Sequence, residues 1–586
     1  MAGPHGQGVK THNGAAWGSD VVADVLRGLG YPHAVIVPGA SFRGLHDSIV
    51  NHLGNRDPHL ITCLHENHAV SIADGYSRVT ETPLLVILHS NVGLMNGSMA
   101  IYNAWCDRRP MLILGATGPV DAHHRRPWID WVHTSKDQGA LVRSFTKWDD
   151  QPASAEAMVE SILRADQITR SAPHGPVYVC LDAHIQEGAL DREVVVPALE
   201  RFRPASAPAV PMDDLKAIDR ALRNARRPLI LAGRMSRSPA DWDRRIALAE
   251  RYGATVLSSA NNAPAFPVAH ASHVLPPAGD KATEAESRLL AASDVILSLD
   301  WLDLAGFLRA RTGDSQTQRP VSAQIIHCSL DGLLANGWSM DHQALPAVDM
   351  PLLAHPDTLV AQLLDAPFDA PPPRTPDPAP HWTQQKRAPS HEAAFDLTQL
   401  AFAMADWSDA RDVTYARLPI GWPQSACRFR HPLDFLGKDG GGAVGTGPAH
   451  TVGAALALKG GGRIVAGVIG DGDFSMGMNA LWTAANQELP MMLVIANNGS
   501  YYNDEVHQER VAIQRGRPVE NKSIGQRLDS PAIELSQIAA AQGFRTEAPV
   551  TTLAQFEAAL LRATEVVQQG GCYLIDARIK PGYSKD

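Results

Sequence analysis

Residues 463–498 read RIVAGVIGDGDFSMGMNALWTAANQELPMMLVIANN. An apolar run ends in Gly470-Asp471-Gly472. A helical stretch, SMGMNALWTAANQ, follows and is closed by Pro490. A second apolar run then ends in Asn497-Asn498. Runs this short and this apolar suit strands buried on both faces, and such strands joined through a helix lie parallel. The two polar signals therefore sit at the carboxyl ends of two strands of one sheet, the edge at which open α/β sheets bind ligands.

That edge carries specific chemistry. A diphosphate is held by backbone N–H groups at a helix start, and glycines let it approach the chain closely. Magnesium takes hard oxygen ligands and keeps phosphate and water among them. Asp471 supplies a carboxylate, Asn498 an amide oxygen and Ser500 a main-chain carbonyl. Gly470, Gly472, Asp473 and Phe474 complete the candidate helix start. Either polar signal alone reads as a turn. In this order, with 24 residues of helix and strand between them, they read as one site.

The same rhythm runs outward in both directions. PLLVILHS, PMLILGAT, GPVYVCLD, RPLILAGR, DVILSLD, AQIIHCSL and CYLIDARI are further buried-strand candidates separated by helical stretches. The expected class is α/β, with three doubly wound parallel-sheet domains. Two Pro/Ala-rich breaks, RFRPASAPAVP (201–211) and APFDAPPPRTPDPAP (366–380), divide the chain. The expected layout is a loose tail over 1–15, domains over 16–195, 205–365 and 391–586, and a proline-rich linker over 366–390.

Bulk composition narrows the class. The 586 residues exceed one core. Charged residues make up 19%, and the net charge of -10 is interspersed, which is unlike the basic footprint of a nucleic-acid binder. No apolar run reaches the roughly 20 residues that span a bilayer. The six cysteines are scattered without a CxxC pair, which points to reduced thiols and a cytoplasmic setting.

The GDG…NN constellation resembles the cofactor motif of the thiamine-diphosphate superfamily that contains acetolactate synthase, pyruvate decarboxylase and benzoylformate decarboxylase. ALWTAANQELPMMLVIANNGSY is most similar to benzoylformate decarboxylase and its relatives. The resemblance implies that Asp471, Asn498 and the Ser500 carbonyl hold magnesium. It names the three domains as pyrimidine-binding, central and diphosphate-binding. It also gives meaning to HENHAVSIADGYSRVT (65–80), a helix whose first-turn acid otherwise reads as a dipole partner. Glu66 then hydrogen-bonds a ring nitrogen of the aminopyrimidine, favoured as a donor where the carboxyl is buried against an apolar ring. Gly440-x-Gly442-x-x-Gly445 satisfies a dinucleotide pattern but follows no strand. By resemblance this stretch carries instead an apolar wedge beneath the cofactor, at Val444.

On the substrate side, LHSNVG…NAW resembles a stretch of benzoylformate decarboxylase in which the histidine faces the substrate, so His89 is the expected proton-handling side chain. Ala40 and Ser41, His133 and Thr134, and Asn503 are the weaker pocket candidates. Asn503 opens a polar run with Asp504, Glu505 and His507 that departs from benzoylformate decarboxylase. The middle domain offers no second substrate histidine in DVILSLDWLDLAGFLRART, and the Arg-rich flavin pattern is not evident around RARTG, so FAD is not favoured. His123-His124 reads as loop. The expectation is a lyase or carboligase for a small-molecule 2-oxo acid, using thiamine diphosphate and Mg2+. The alternatives are acetolactate-synthase-like carboligation, 1,2-diketone cleavage and, remotely, a non-catalytic cofactor binder. The resemblance further implies a homodimer as the minimal active unit, with active sites at the subunit interface, and commonly a homotetramer.

Overall fold

In the computed structural model these runs fold into three parallel sheets flanked by helices; residues 14–312, 321–333, 345–369 and 394–583 are described. The expected tail and proline-rich linker lie almost wholly outside those residues. The first sheet holds β1 (His33–Ile36), β2 (His59–Thr62), β3 (Leu84–Leu88), β4 (Met111–Thr117), β5 (Asp149–Asp150) and β6 (Pro176–Asp182), in the order β2-β1-β3-β4-β6-β5. The second holds β7 (Pro228–Ala232), β8 (Thr255–Ser258), β9 (Val295–Leu299), β10 (Gln324–Cys328) and β11 (Met350–Leu352), ordered β11-β10-β9-β7-β8. The third holds β12 (Val413–Arg417), β13 (Ile464–Gly470), β14 (Met491–Asn497), β15 (Arg545–Thr546) and β16 (Cys572–Arg578), ordered β12-β13-β14-β16-β15. Every ladder is parallel. Strands β3, β4, β6 and β14 are buried at every position, as apolar runs covered by helices on both faces must be.

One expected element differs. The helix after β13 starts at Asp471 itself, runs to Gly477, and resumes as Ala480–Asn486. The break falls where Gly477 passes directly over the Gly445 carbonyl; a Cβ there would sit 2.3 Å from that oxygen.

The first and third sheets are joined by two helices, Glu66–Thr80 and Gly447–Leu458. They meet backbone to backbone. A Cβ on Gly75 would lie 2.2 Å from the His450 carbonyl oxygen, and one on Gly453 would lie 2.0 Å from that of Ile72. Beside this contact Arg78, 1% exposed, pairs with Asp74 at 2.9 Å, with Asp107, and with Asp439 at 3.4 Å. It also donates to the carbonyls of Leu436 at 3.3 Å and Lys438 at 3.1 Å. His450 bridges Asp74 at 2.9 Å and Asp439 at 3.2 Å. Thr483 donates to the Thr62 carbonyl at 3.0 Å, a further tie between the sheets.

Gly75→Ala tests this close approach. Alanine is the better helix former by about 1 kcal/mol. The added methyl has no room, however, and overpacking of this kind costs about 1–3 kcal/mol. A lowered midpoint in thermal or urea unfolding is expected; an unchanged or raised one would show that the helices can part without cost.

Candidate active site

At the edge of the third sheet, Gly470 caps the helix that Asp471 opens. Nothing lies within 4 Å of a Cβ built on Gly470, so the backbone there borders open space. Asp471 is 5% exposed, and its Oδ2 is buried without a hydrogen-bond partner. Burial pushes its carboxyl up to about 6, although the backbone N–H groups of Asn498 and Ser500 lie beside it and oppose the shift. The β14 end thus closes over the β13 end. Asn498 Oδ1 accepts from Ser500 N at 3.0 Å, and Gly499 turns the chain at φ +68. Asn497 is held away by Asp576 at 2.8 Å. An orphaned buried carboxylate oxygen beside an amide oxygen, at a helix start facing open space, is a donor set that fits a hard divalent cation carrying phosphate oxygens.

At the edge of the first sheet, Glu66 opens the helix that follows β2, and it is 8% exposed. Asn96 Nδ2 donates to its Oε2 at 3.1 Å. His89 caps the next helix, Ser90–Cys106, directly after β3. Its Nδ1 lies 2.7 Å from Ser41 Oγ, and Ser41 Oγ also accepts from Ser90 N at 3.2 Å. Ser41 Oγ thus ties the Nδ1 side of the ring to the start of the next helix. The His133 ring meets His89 edge-on at 4.8 Å. Burial first, and then His133, lower the His89 pKa against the opposing pull of Glu66. At neutral pH the ring is therefore an uncharged proton carrier. Gly39 makes room for it, since a Cβ there would lie 2.3 Å from the ring.

Not every expected residue meets these edges. Phe474 is fully buried, and its side chain packs in the core shared by the first and third sheets. Asp473 Oδ1 is occupied by the Gly445 and Gly447 amides at 2.7 and 3.1 Å, so it shapes the loop under the site and has that oxygen committed. Gly472 packs on the Tyr501 ring, where a Cβ would approach to 2.5 Å. Val444 stands 44% exposed on that loop. Thr134 Oγ1 is buried without a partner. Ala40 begins the short helical turn that carries Ser41. Asn503 lines a separate cavity of about 320 Å³ with Trp422, Gln424, His507, Arg510 and Tyr583. His123-His124 forms a short helical turn in which His124 stacks on His184 at 3.7 Å. Gly93 and Asn96 escaped the sequence reading, and Glu505 entered it only as a member of the polar run that Asn503 opens. Gly93 and Asn96 stand three apart on one face of the helix behind Glu66, a spacing that could have shown them. Glu505, buried and accepting from Ser500 Oγ, had no such signal.

Comparison with known proteins gives this geometry a context. Residues 16–141 match the N-terminal TPP-binding domain of thiamine pyrophosphate enzymes, and residues 419–577 match their C-terminal TPP-binding domain. The chain is 27% identical to benzoylformate decarboxylase of Pseudomonas aeruginosa over 75% of this chain and 78% of that one. It is 26% identical to a probable 2-ketoarginine decarboxylase of the same organism, over 78% and 77%. It is 24% identical to the large subunit of acetolactate synthase isozyme 1 of Escherichia coli, over 84% and 83%. In fold it matches the thiamine diphosphate-dependent 4-hydroxybenzoylformate decarboxylase of Rhodococcus jostii RHA1, with a TM-score of 0.78 at 23% identity, covering 97% of this chain and all of the other.

Asp471 makes the metal reading testable. Its folded value of about 6 lies above the usual carboxylate value, so the metal-free fold binds the extra proton. The corresponding stability is present below about pH 4 and is lost as the pH rises through about 6. Asp471→Asn should therefore raise the stability of the metal-free protein at pH 8, by about 1–3 kcal/mol, and abolish the rise in Tm on adding magnesium with thiamine diphosphate. An unchanged metal-free Tm with the magnesium response intact would refute the assignment.

Proposed function

Since the chain belongs to the thiamine-diphosphate-dependent enzyme superfamily, we propose that it is a magnesium-dependent lyase and carboligase that decarboxylates a 2-oxo acid without oxidation and can pass the product to a second carbonyl. The carrying observation is the convergence of buried Glu66 and a neutral, hydrogen-bonded His89 at one sheet edge. Thiamine diphosphate, when bound, supplies the carbon nucleophile and the electron sink for breaking the bond next to the carbonyl.

The chain's own residues do the rest. Asp471, Asn498 and the Ser500 carbonyl would hold the cation, and the open backbone at Gly470 would meet the diphosphate. Val444 would support the cofactor from below. Glu66, fixed by Asn96, would exchange a proton with the aminopyrimidine ring. His89, its ring held by Ser41, would hand a proton to the substrate carbonyl oxygen or take it back. Ser41, His133 and Thr134 would complete the wall around it.

Two subunits are part of this reading. One chain leaves Leu64, Val92, Met95 and Met99 near Glu66, and Val444 and Met476 near the other edge, substantially exposed. Apolar groups clustered in this way mark an interaction face. A homodimer would cover them and bring the Glu66 edge of one chain to the Asp471 edge of its partner, and pairs of dimers would make a tetramer.

A second reading, acetolactate-synthase-like carboligation or 1,2-diketone cleavage, draws on the likeness to an acetolactate synthase large subunit over most of the chain. One screen separates the two. The protein, loaded with thiamine diphosphate and magnesium, is offered pyruvate, benzoylformate, 2-ketoarginine and a cyclic 1,2-diketone, and carbon dioxide, aldehyde, acyloin and acid are measured. Carbon dioxide with aldehyde as the main product is expected; carbon dioxide with an acetohydroxy acid from pyruvate and no aldehyde, or acid from the diketone without carbon dioxide, would favour the second reading. On the best substrate, His89→Leu should lower kcat by about 10²–10⁴-fold. Glu66→Gln should lower it at least as far, and full activity of that variant would overturn the mechanism.

A further inference from the structure

A second cavity, also about 320 Å³, opens where the three sheet units meet; Glu66, His89, Asp471 and Asn498 are not part of its wall. It lies at the carboxyl edge of the second sheet. Arg234 follows β7 and Asp300 follows β9, the two neighbouring strands between which the chain order reverses. Open α/β sheets bind ligands at such a point.

Most cations in its wall are already matched. Arg234 pairs with Asp300 at 3.0 Å and Asp331 at 2.6 Å, and Arg108 pairs with Asp331 at 2.6 Å. Lys438 pairs with Asp280 at 3.3 Å, and Arg78 with Asp107 and Asp439. Arg109 and Arg237 are different. Among the described residues, neither guanidinium forms an ion pair. Arg237 is 7% exposed. Its Nε and Nη1 are spent on the carbonyls of Arg78 at 3.3 Å and Met235 at 3.0 Å. Arg109 Nε is buried with no partner. The carboxylate set against them is Glu81, which accepts the Arg237 backbone N–H at 2.9 Å. Two guanidiniums without an ion pair, Arg237 buried and Arg109 partly so, thus line the hollow, with Glu81 near both and Asp107 also near Arg109. Burial first, and then a neighbouring guanidinium, lower the pKa of both: Arg78 acts on Arg109, and Arg109 on Arg237, which falls to about 9.

An unpaired charge out of water is costly, and truncating or pairing it changes stability by several kcal/mol. A guanidinium is also the side chain best shaped to grip a carboxylate or phosphate through paired N–H groups. We propose that this cavity binds a small oxyanion, the carboxylate or phosphate group of a metabolite-sized molecule, between Arg109 of the first sheet unit and Arg237 of the second. The space suits such a molecule, since small-ligand pockets begin at roughly 300 Å³. The opposing faces of the hollow, with His174, Asn261, Asn262 and His355, offer hydrogen bonds to the remainder of the ligand.

The test uses the protein loaded with thiamine diphosphate and magnesium, so that the diphosphate site is filled. Calorimetric titrations with inorganic phosphate and, separately, malonate are run against sodium chloride at matched ionic strength. Saturable binding of at least one probe is expected. Tighter phosphate would point to a phosphate ester, and tighter malonate to a carboxylic acid. Arg109→Met and Arg237→Met should each weaken it at least about tenfold, which is about 1.4 kcal/mol, while Lys216→Met on the surface should leave it unchanged. Should Arg237→Met fail to fold, the less deeply buried Arg109→Met carries the comparison. No saturable binding of either probe below about 10 mM, or binding that survives the loss of Arg109, overturns the proposal.

Discussion

A single buried guanidinium holds the two cofactor-binding parts of this chain in place. Arg78 stands near the end of the helix that Glu66 begins, and it reaches across to Asp439 and the carbonyls of residues 436 and 438 in the third unit. Burial alone would lower its pKa; Asp107, Asp74 and Asp439 outweigh that and raise it, so its charge is fixed. A charge so deep is tolerated only because it is matched on every side, and removing one partner of such a group typically costs about 3–5 kcal/mol. The same helix therefore presents Glu66 at one end and is anchored at the other.

The network continues toward the cofactor loop. Asp439 also pairs with Arg417 and accepts from Thr446, and Asp473 secures the amides of Gly445 and Gly447. Val444 lies between these fixed points. Its backbone is thus set by ionic contacts on both flanks, while its side chain is left free to face a ligand. The two sheet edges are charged in complementary ways. One holds a carboxyl whose burial leaves it short of a cation; the other holds an imidazole that burial keeps neutral.

The long central strands were legible because they are buried on both faces and so read as unbroken apolar runs. Edge strands β5, β11 and β15, two or three residues long, have no such signature. The position of Asp471 was legible because it is local, since a strand end and the next helix start place it without help from elsewhere. Phe474, three residues on, shows the limit of that reasoning. The helix turns its side chain away from the edge and into the core, although the sequence sets it within the motif. Gly39 acts through space on His89, and nothing adjacent in sequence marks it.

Substrate identity was the least legible because different elements carry it. Cofactor contacts come from strand ends and backbone, whose geometry the fold itself repeats. The polar run that departs from benzoylformate decarboxylase lies on the helix Tyr502–Gln514, which meets the loop after β12 only in the folded chain and lines with it a cavity apart from Glu66 and His89. That helix is anchored by buried Glu505 on Ser500, so the turn proposed to bind metal also fixes the helix that bears Asn503 and His507. A change in those exposed faces can alter what that cavity accepts while Glu505 and Ser500 keep the metal turn in place. The chain can thus share its cofactor chemistry with decarboxylases and carboligases alike and still differ from benzoylformate decarboxylase along that helix.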